Sequence, residues 1–109
     1  MTTEELREAC FNAFRFIDAT GGTGGGLFRY MYARFLEEAS TITTDQRIGQ
    51  AGQHLHHVGD EWQKVAELFQ RAAGDDTPLR HLEEVAERLV EIAGLEDQVW
   101  TGLAEVGAA

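Results

Sequence analysis

The residues of this chain that could do chemistry begin with a glycine-rich stretch. Residues 21 to 29 read GGTGGGLFR and have the backbone freedom of a phosphate-binding loop. The stretch lacks the lysine and the Ser or Thr of a P-loop, and Leu27 occupies the position of the last glycine in G-x-G-x-x-G. It also follows a predicted helix rather than a strand. The sequence therefore favours a sharp turn between helices over a nucleotide-binding loop.

A weaker anion-binding site stays open at the same turn. Backbone N–H groups at the start of a helix can bind a carboxylate or a phosphate, and Arg29 lies in the first turn beside them. The alternative is a purely structural corner. The two hypotheses differ in where the Arg29 side chain points, because a ligand site needs its guanidinium to face solvent.

The stretch QHLHHVGDEW, residues 53 to 62, contains three histidines within four consecutive positions. His54, His57 and Glu61 share one side of a helix at spacings compatible with metal ligation. The chain has neither H-E-x-x-H nor a pair of E-x-x-H motifs, so we predict no metal site. We interpret His54 and His57 as partly buried packing or hydrogen-bonding residues. His57 is also a candidate general acid or base, because histidine titrates near neutral pH.

Glu96 interrupts a file of leucines, spaced by sevens, in the last part of the chain. Burying a carboxylate without a partner is costly, so this side chain needs a cation or a hydrogen-bond donor. The candidate partners are Arg29, His54 and His57. We favour structural pairing, and keep Glu96 with His57 as the candidate catalytic residues.

Four amphipathic segments must position these side chains, and two of them are short. The first spans about residues 3–19 and carries Cys10 on its apolar stripe, so we interpret Cys10 as a small core residue. The glycines end this helix, because each glycine disfavours a helix by about 1 kcal/mol relative to alanine. The second segment spans about residues 26–41 and has one apolar face.

The other two segments are long and carry heptad seams. The third begins near residues 44–45, and its apolar residues alternate three and four positions apart over residues 48–72. After a glycine break, Asp76 or Thr77 is the predicted N-cap of the fourth segment and Pro78 its first residue. The seam of the fourth segment consists of Leu79, Leu82, Ala86, Leu89, Ala93, Glu96, Trp100 and Leu103, with Val85, Ile92, Val99 and Val106 as a second column.

Two short and two long helices joined by short turns predict an all-α, antiparallel helical bundle. A chain of 109 residues forms a single domain, residues 1–109, and buries only part of its apolar surface as a monomer. We therefore expect a homodimer to complete the bundle. Trp62 and Trp100 lie on the two seams, and both are predicted to be core residues.

Charge and cysteine content narrow the range of partners. Nineteen acidic and nine basic residues give a net charge of -10, which repels nucleic acids and anionic membrane surfaces. The single cysteine forms no intrachain disulfide, and the chain has no apolar stretch of about 18 residues. We expect a cytoplasmic protein that binds neither nucleic acid nor membrane, and no motif indicates a cofactor.

Three stretches together resemble a known family: GGTGGGLFRYMYARFLEEAS, DEWQKVAELF and IAGLEDQVWTGL. The resemblance is to the C-terminal helical domain, of unknown function, in proteins similar to the butirosin-biosynthesis H acyltransferase. It covers about residues 6–106, and its most specific part is the string G-T-G-G-G-L-F-R. In that family a cysteine-containing domain of papain-like character precedes the helical portion.

The resemblance implies a setting in secondary metabolism, in which an acyl or aminoacyl group moves from a carrier-protein thioester to an amine. The family's nucleophile is expected in the cysteine-containing domain, so the resemblance does not assign it to Cys10. It implies a positioning element at the glycine turn, formed by Gly24, Gly25, Gly26 and Arg29, with Tyr32 behind them.

Three functional hypotheses follow from the residues and the resemblance. The first is a stand-alone accessory or binding module that acts with a pathway enzyme or a carrier protein. The second is a small enzyme with an interhelical pocket, in which His57 or Glu96 is the general base and Arg29 holds an anionic group. The third is a purely structural dimer, which would be favoured if Arg29 and Glu96 form only an internal ion pair.

Overall fold

A computed structural model describes residues 1–18 and 25–108, which form four helices. They are α1 (Thr3–Ile17), α2 (Gly26–Thr43), α3 (Gln46–Ala73) and α4 (Leu79–Ala108). These two ranges contain no strand, which confirms the all-α prediction. None of the described helices combines the length and the apolar character that crossing a membrane requires.

Side-chain oxygens cap the helices where the chain turns. The Asp45 carboxylate accepts a hydrogen bond from the Arg47 backbone N–H at 2.9 Å, so the predicted start of α3 is confirmed. The predicted start of α4 is wrong by one residue, because its first helical residue is Leu79 and not Pro78. In the turn before it, the Asp75 carboxylate accepts a hydrogen bond from the Thr77 backbone N–H at 2.9 Å. This hydrogen bond, followed by one to His81, holds the pKa of Asp75 well below its usual range.

The short helix α1 runs antiparallel to the last half of α3. Near its start, Arg7 Nε donates to the Ala73 carbonyl oxygen at 2.9 Å. Just beyond its end, Gln63 donates to the Asp18 carboxylate at 2.7 Å. Because Ala73 ends α3 and Gln63 lies near its middle, α1 covers only the last part of that helix.

The helix α2 continues in the same direction along the first half of α3. Near the start of α2, the Tyr30 hydroxyl donates a hydrogen bond to Asp60. Near its end, the Ser40 hydroxyl donates to the Asp45 carbonyl oxygen at 3.1 Å. α1 and α2 therefore share one position beside α3, and the antiparallel helix α4 occupies a second position. The bundle is long and narrow, with extents of 53 × 24 × 16 Å.

The core lies where α3 meets the other three helices. The side chains with the least exposure are on α3 and α4, and Cys10 of α1 is buried as predicted, which raises the pKa of its thiol. The main buried residues are Ile17, Ala33, Leu36, Leu55, Val58, Val65, Ala66, Leu68, Val85, Ile92 and Val99.

On α4 the second predicted column, not the seam, is the buried one. Val85, Ile92 and Val99 pack against α3 and are at most 4% exposed. The prediction that Trp100 is a core residue is wrong, because its side chain is 40% exposed. One neighbouring helix can bury one column, and the seam lies further round α4. Leu79, at the start of the helix, is one of its five exposed members, and we call the other four, Ala86, Leu89, Ala93 and Trp100, the α4 seam.

Close packing of α2 on α3 depends on glycine. A Cβ atom added at Gly59 would lie 2.7 Å from the Tyr30 ring, and one at Gly52 would lie 3.1 Å from the Ala33 carbonyl oxygen. Both distances are shorter than ordinary van der Waals contact. The two glycines are seven residues apart, so they face α2 from the same side of α3.

The Gly59→Ala substitution should therefore destabilise the fold, although alanine is the better helix former. We expect the free energy of unfolding in urea to fall by about 1–3 kcal/mol, since the Tyr30 ring must move. Gly94→Ala is the matched control, because a Cβ there meets nothing within 4 Å. The control should stabilise the protein by about 1 kcal/mol. Equal gains in both variants would show that α2 is not closely packed at Gly59.

Candidate functional site

The first turn of α2 begins directly against the end of α1. Gly25 is the N-cap and Gly26 the first helical residue, and both are buried. A Cβ at Gly25 would lie 2.7 Å from the Ile17 carbonyl oxygen, so only glycine fits there without a shift. Gly24, the third glycine of the predicted ligand site, lies outside the described residues. The glycines that are described serve close packing at the corner.

Arg29 turns inward and pairs with Glu96 across the bundle. Its Nε lies 2.8 Å from Glu96 Oε1, and its Nη1 donates to the Gly25 carbonyl oxygen at 3.4 Å. The two charged side chains are only 21% and 20% exposed. Arginine was one of the candidate partners for Glu96, and the structure selects it over His54 and His57. The guanidinium therefore donates hydrogen bonds to a side chain and to the backbone within the protein.

Trp62 completes this pair from α3. Its indole N–H donates to the same Glu96 oxygen at 2.9 Å, and the Arg29 guanidinium carbon lies 4.9 Å from its ring centroid. Glu96 thus accepts from two donors, and Arg29 has an aromatic face to stack on. One interaction joins α2, α3 and α4. Arginine keeps its positive charge at physiological pH and does not act as an acid or a base, so these contacts favour a structural pair over acid–base catalysis.

Tyr32 is the centre of an aromatic cluster next to the pair. Its ring centroid lies 5.5 Å from that of Trp100 in an edge-on arrangement, and 5.6 and 6.1 Å from those of Phe35 and Phe28. These separations are typical of stabilising aromatic pairs. Tyr32 connects α2 to α4 through Trp100, which lies four residues after Glu96 on the same helix.

An exposed apolar row runs along the outer side of α2. Phe28, Met31, Phe35 and Ile42 are 52%, 64%, 57% and 83% exposed, and we call them the α2 stripe. Their spacing of three, four and seven residues places them along one side of the helix. A row of large apolar side chains in solvent is uncommon unless another surface covers it.

His57 lies away from the Arg29–Glu96 pair. It is five residues from Trp62, so the two side chains leave α3 about 140° apart. The His57 side chain is 57% exposed, and its Nε2 lies 3.9 Å from Glu61 Oε1. The prediction that His54 and His57 are partly buried is wrong, because both residues are exposed at the edge of the α3–α4 contact. The structure does not bring the two candidate catalytic residues together.

Glu61 is the buried acid on α3, with 7% exposure. Lys64 Nζ lies 2.9 Å from one of its oxygens and Arg88 Nη1 lies 3.3 Å from the other. The hydrogen bond from Lys64 is the main cause that lowers the pKa of Glu61. Within residues 1–18 and 25–108, no three His, Cys, Asp or Glu side chains are placed to hold a metal ion.

Sequence reasoning missed a polar pocket on the other side of α2. Tyr30 Oη donates to Asp60 Oδ1 at 2.5 Å, and its ring lies 4.9 Å from that of His56. Burial, then the bond to Asp60, raises the pKa of Tyr30. In the sequence, Gly59 next to Asp60 is the one indication of this pocket, because a glycine leaves room for an aromatic ring beside the acidic side chain. The open pocket of about 610 Å³ is lined by Tyr30, Arg34, Glu37, His56 and Asp60.

A domain of unknown function, DUF4872, matches residues 1–103 of the chain. The chain belongs to this domain family. No curated protein and no solved structure matches it significantly. The DUF4872 match spans α1, α2, α3 and most of α4, so the Arg29–Glu96 pair, the α2 stripe and the α4 seam all lie within the family's domain.

The Arg29–Glu96 pair should stabilise the fold of this DUF4872 domain. Glu96→Gln keeps the side-chain shape and removes the charge, so we expect the free energy of unfolding to fall by about 1–2 kcal/mol. Asp97→Asn is the matched control, because Asp97 is the adjacent, exposed carboxylate. It should change stability by less than about 0.5 kcal/mol. Urea unfolding followed by tryptophan fluorescence measures both, and equal effects would contradict a stabilising pair.

Glu61 should make stability depend on acid pH. Its pKa is lower in the folded than in the unfolded chain, so its contribution is present at neutral pH and above the ordinary glutamate value of about 4.3. That contribution is lost as the pH falls from this value through the lower folded pKa. Thermal unfolding of Glu61→Gln should lose this part of the pH dependence. Glu67→Gln, at an exposed position of the same helix, should keep it; identical profiles would contradict the assignment.

Proposed function

We propose that this chain is a helical accessory module that binds another protein, rather than an enzyme in its own right. The observation that carries the proposal is the α2 stripe, whose four large side chains are mostly in solvent. Aromatic residues and methionine are enriched in protein interfaces, and clustered aromatic anchors dominate binding energy. Three of the four stripe residues, Phe28, Met31 and Phe35, lie in the stretch of residues 21–40 that carries the family resemblance.

The positions of the candidate catalytic groups favour binding over catalysis. An interhelical enzyme needs Arg29, Tyr32 and a histidine at one pocket, and His57 lies on another side of α3. The inward Arg29 also fits a purely structural dimer. The α2 stripe favours a protein-binding role over a chain with no binding surface, because such a row is uncommon unless another surface covers it.

The resemblance to butirosin-H-like acyltransferases supports a specific partner. We take the occupant of the α2 stripe to be a cysteine-containing, papain-like acyltransferase domain, which holds the nucleophile for transfer from a carrier-protein thioester to an amine. In this proposal Gly25, Gly26, Arg29 and Tyr32 set the position of α2 and do not touch the ligand. The module acts as a cytoplasmic homodimer in natural-product biosynthesis.

The partner domain should bind through the α2 stripe. Met31 is 64% exposed, so Met31→Glu should leave the fold intact and place a carboxylate in the interface. We expect its affinity for a purified butirosin-H-like cysteine domain to fall at least about tenfold in isothermal titration calorimetry. The matched control is Glu37→Gln, an exposed position on the other side of α2.

The same titration can overturn the proposal. Binding by Glu37→Gln at the wild-type affinity, with loss in Met31→Glu, supports the α2 stripe as the docking surface. Equal affinities in the two variants would move the interface elsewhere. No heat and no complex with the wild-type module would contradict the accessory role.

A further inference from the structure

We propose that two copies of this chain pair through the α4 seam, with their α4 helices antiparallel and the twofold axis close to Ala93. The inference rests on the homodimer in the proposed function and specifies its interface. This interface lies on a different helix from the α2 stripe, and the ring of Tyr32 joins the two surfaces through its contacts with Trp100 and Phe35.

The α4 seam has the pattern of a helix-pairing face. Ala86, Leu89, Ala93 and Trp100 follow one another at intervals of three, four and seven residues, and all four are exposed. Beside them Val90 is 75% exposed. Such heptad spacing keeps one seam of a helix directed at a partner helix over its length. Within the described residues α3 packs on the other column, and Tyr32 of α2 contacts the α4 seam at Trp100, so the exposed side chains of Ala86, Leu89 and Ala93 remain for another helix to cover.

The surface area of the chain matches what a second copy would cover. A monomer of 12.1 kDa exposes 6955 Å², whereas a compact protein of this mass exposes about 6,000 Å². The excess of about 900 Å² is close to the roughly 800 Å² that each partner buries in a standard interface. The radius of gyration of 16.4 Å likewise exceeds the value of about 13 Å for a compact chain of this length.

The order of small and large residues favours an antiparallel pair. Ala86 and Trp100 lie seven residues on either side of Ala93. A twofold axis near Ala93 therefore sets the bulky indole of one copy towards the small alanine of the other. A parallel pair would place the two tryptophans together and leave a gap between the two alanines. Antiparallel helix dipoles also attract one another.

The acidic side chains near the α4 seam are paired inside the protein or lie at the edge of the seam. Glu96 already pairs with Arg29 and Trp62 within each copy. Asp97, four residues after Ala93, is exposed beside the seam, so its carboxylate has to stay in solvent when two copies pair. Glu84 and Glu91 leave α4 on the opposite side from the seam. The net charge of -10 per copy still repels at long range, so added salt should tighten the dimer.

Cysteine probes on the full chain test the geometry. In a Cys10→Ala background, a short bismaleimide should link two copies of Ala93→Cys and should not link Glu91→Cys. Spin labels at Glu83→Cys, ten residues before Ala93, should lie about 30 Å apart along antiparallel axes. In a parallel pair they would lie about 10 Å apart, the distance between packed helices. The short distance, or linkage through Glu91→Cys instead, would overturn the proposal.

The mass in solution shows whether the chain forms a homodimer at all and, in a variant, whether the homodimer uses the α4 seam. Light scattering should give twice the chain mass for the wild type, and Ala93→Glu should raise the dimer dissociation constant more than about 100-fold. Circular dichroism checks that the variant stays folded, as expected for an exposed position. A monomeric wild type contradicts both the homodimer and the α4 pairing. A dimer that survives Ala93→Glu contradicts the pairing alone, and the titration of Met31→Glu tests docking at the α2 stripe separately.

Discussion

The whole structure depends on the packing of one long helix against three others. α3 supplies the side chains with the least exposure, among them Val58, Val65 and Ala66, and each of the other helices buries one apolar row on it. Hydrophobic burial of this kind is the main favourable term in folding. Because α1 and α2 share one position beside α3, the chain fills three positions of a bundle. The consequence is a long, narrow molecule with apolar rows left outside.

The contacts among Arg29, Glu96 and Trp62 hold α2, α3 and α4 together. They join the three helices through one carboxylate oxygen, and the neighbouring ring of Tyr32 extends the contact to Trp100. The Arg29 guanidinium, in the first turn of α2, therefore cannot contact a ligand without losing these contacts. What α2 presents instead is the apolar α2 stripe, which is the basis for proposing a protein-binding module.

Much of the fold could be predicted from local sequence signals. The cap at Asp45 and the heptad seam of α3 are local features, and the structure confirms them. α1 ends at Ile17, two residues before the end that the sequence predicted. The burial of individual columns is not local. Trp100 and Ile92 both lie on apolar columns of α4, and only the placement of α3 decides that Ile92 is buried while Trp100 stays 40% exposed. The sequence alone does not identify the partner of Glu96 for the same reason. Arg29, His54 and His57 are all candidates, and only tertiary packing selects Arg29.

An NMR titration can follow, residue by residue, the proposed docking of a protein on α2 of this DUF4872 domain. Backbone amide spectra of the isotopically labelled chain would be recorded as an unlabelled butirosin-H-like cysteine domain is added. If the α2 stripe is the docking surface, shift changes should concentrate on α2 around Phe28, Met31 and Phe35, with little change at His54 and His57. Changes confined to the two histidines and their α4 neighbours, or no changes at all, would contradict it.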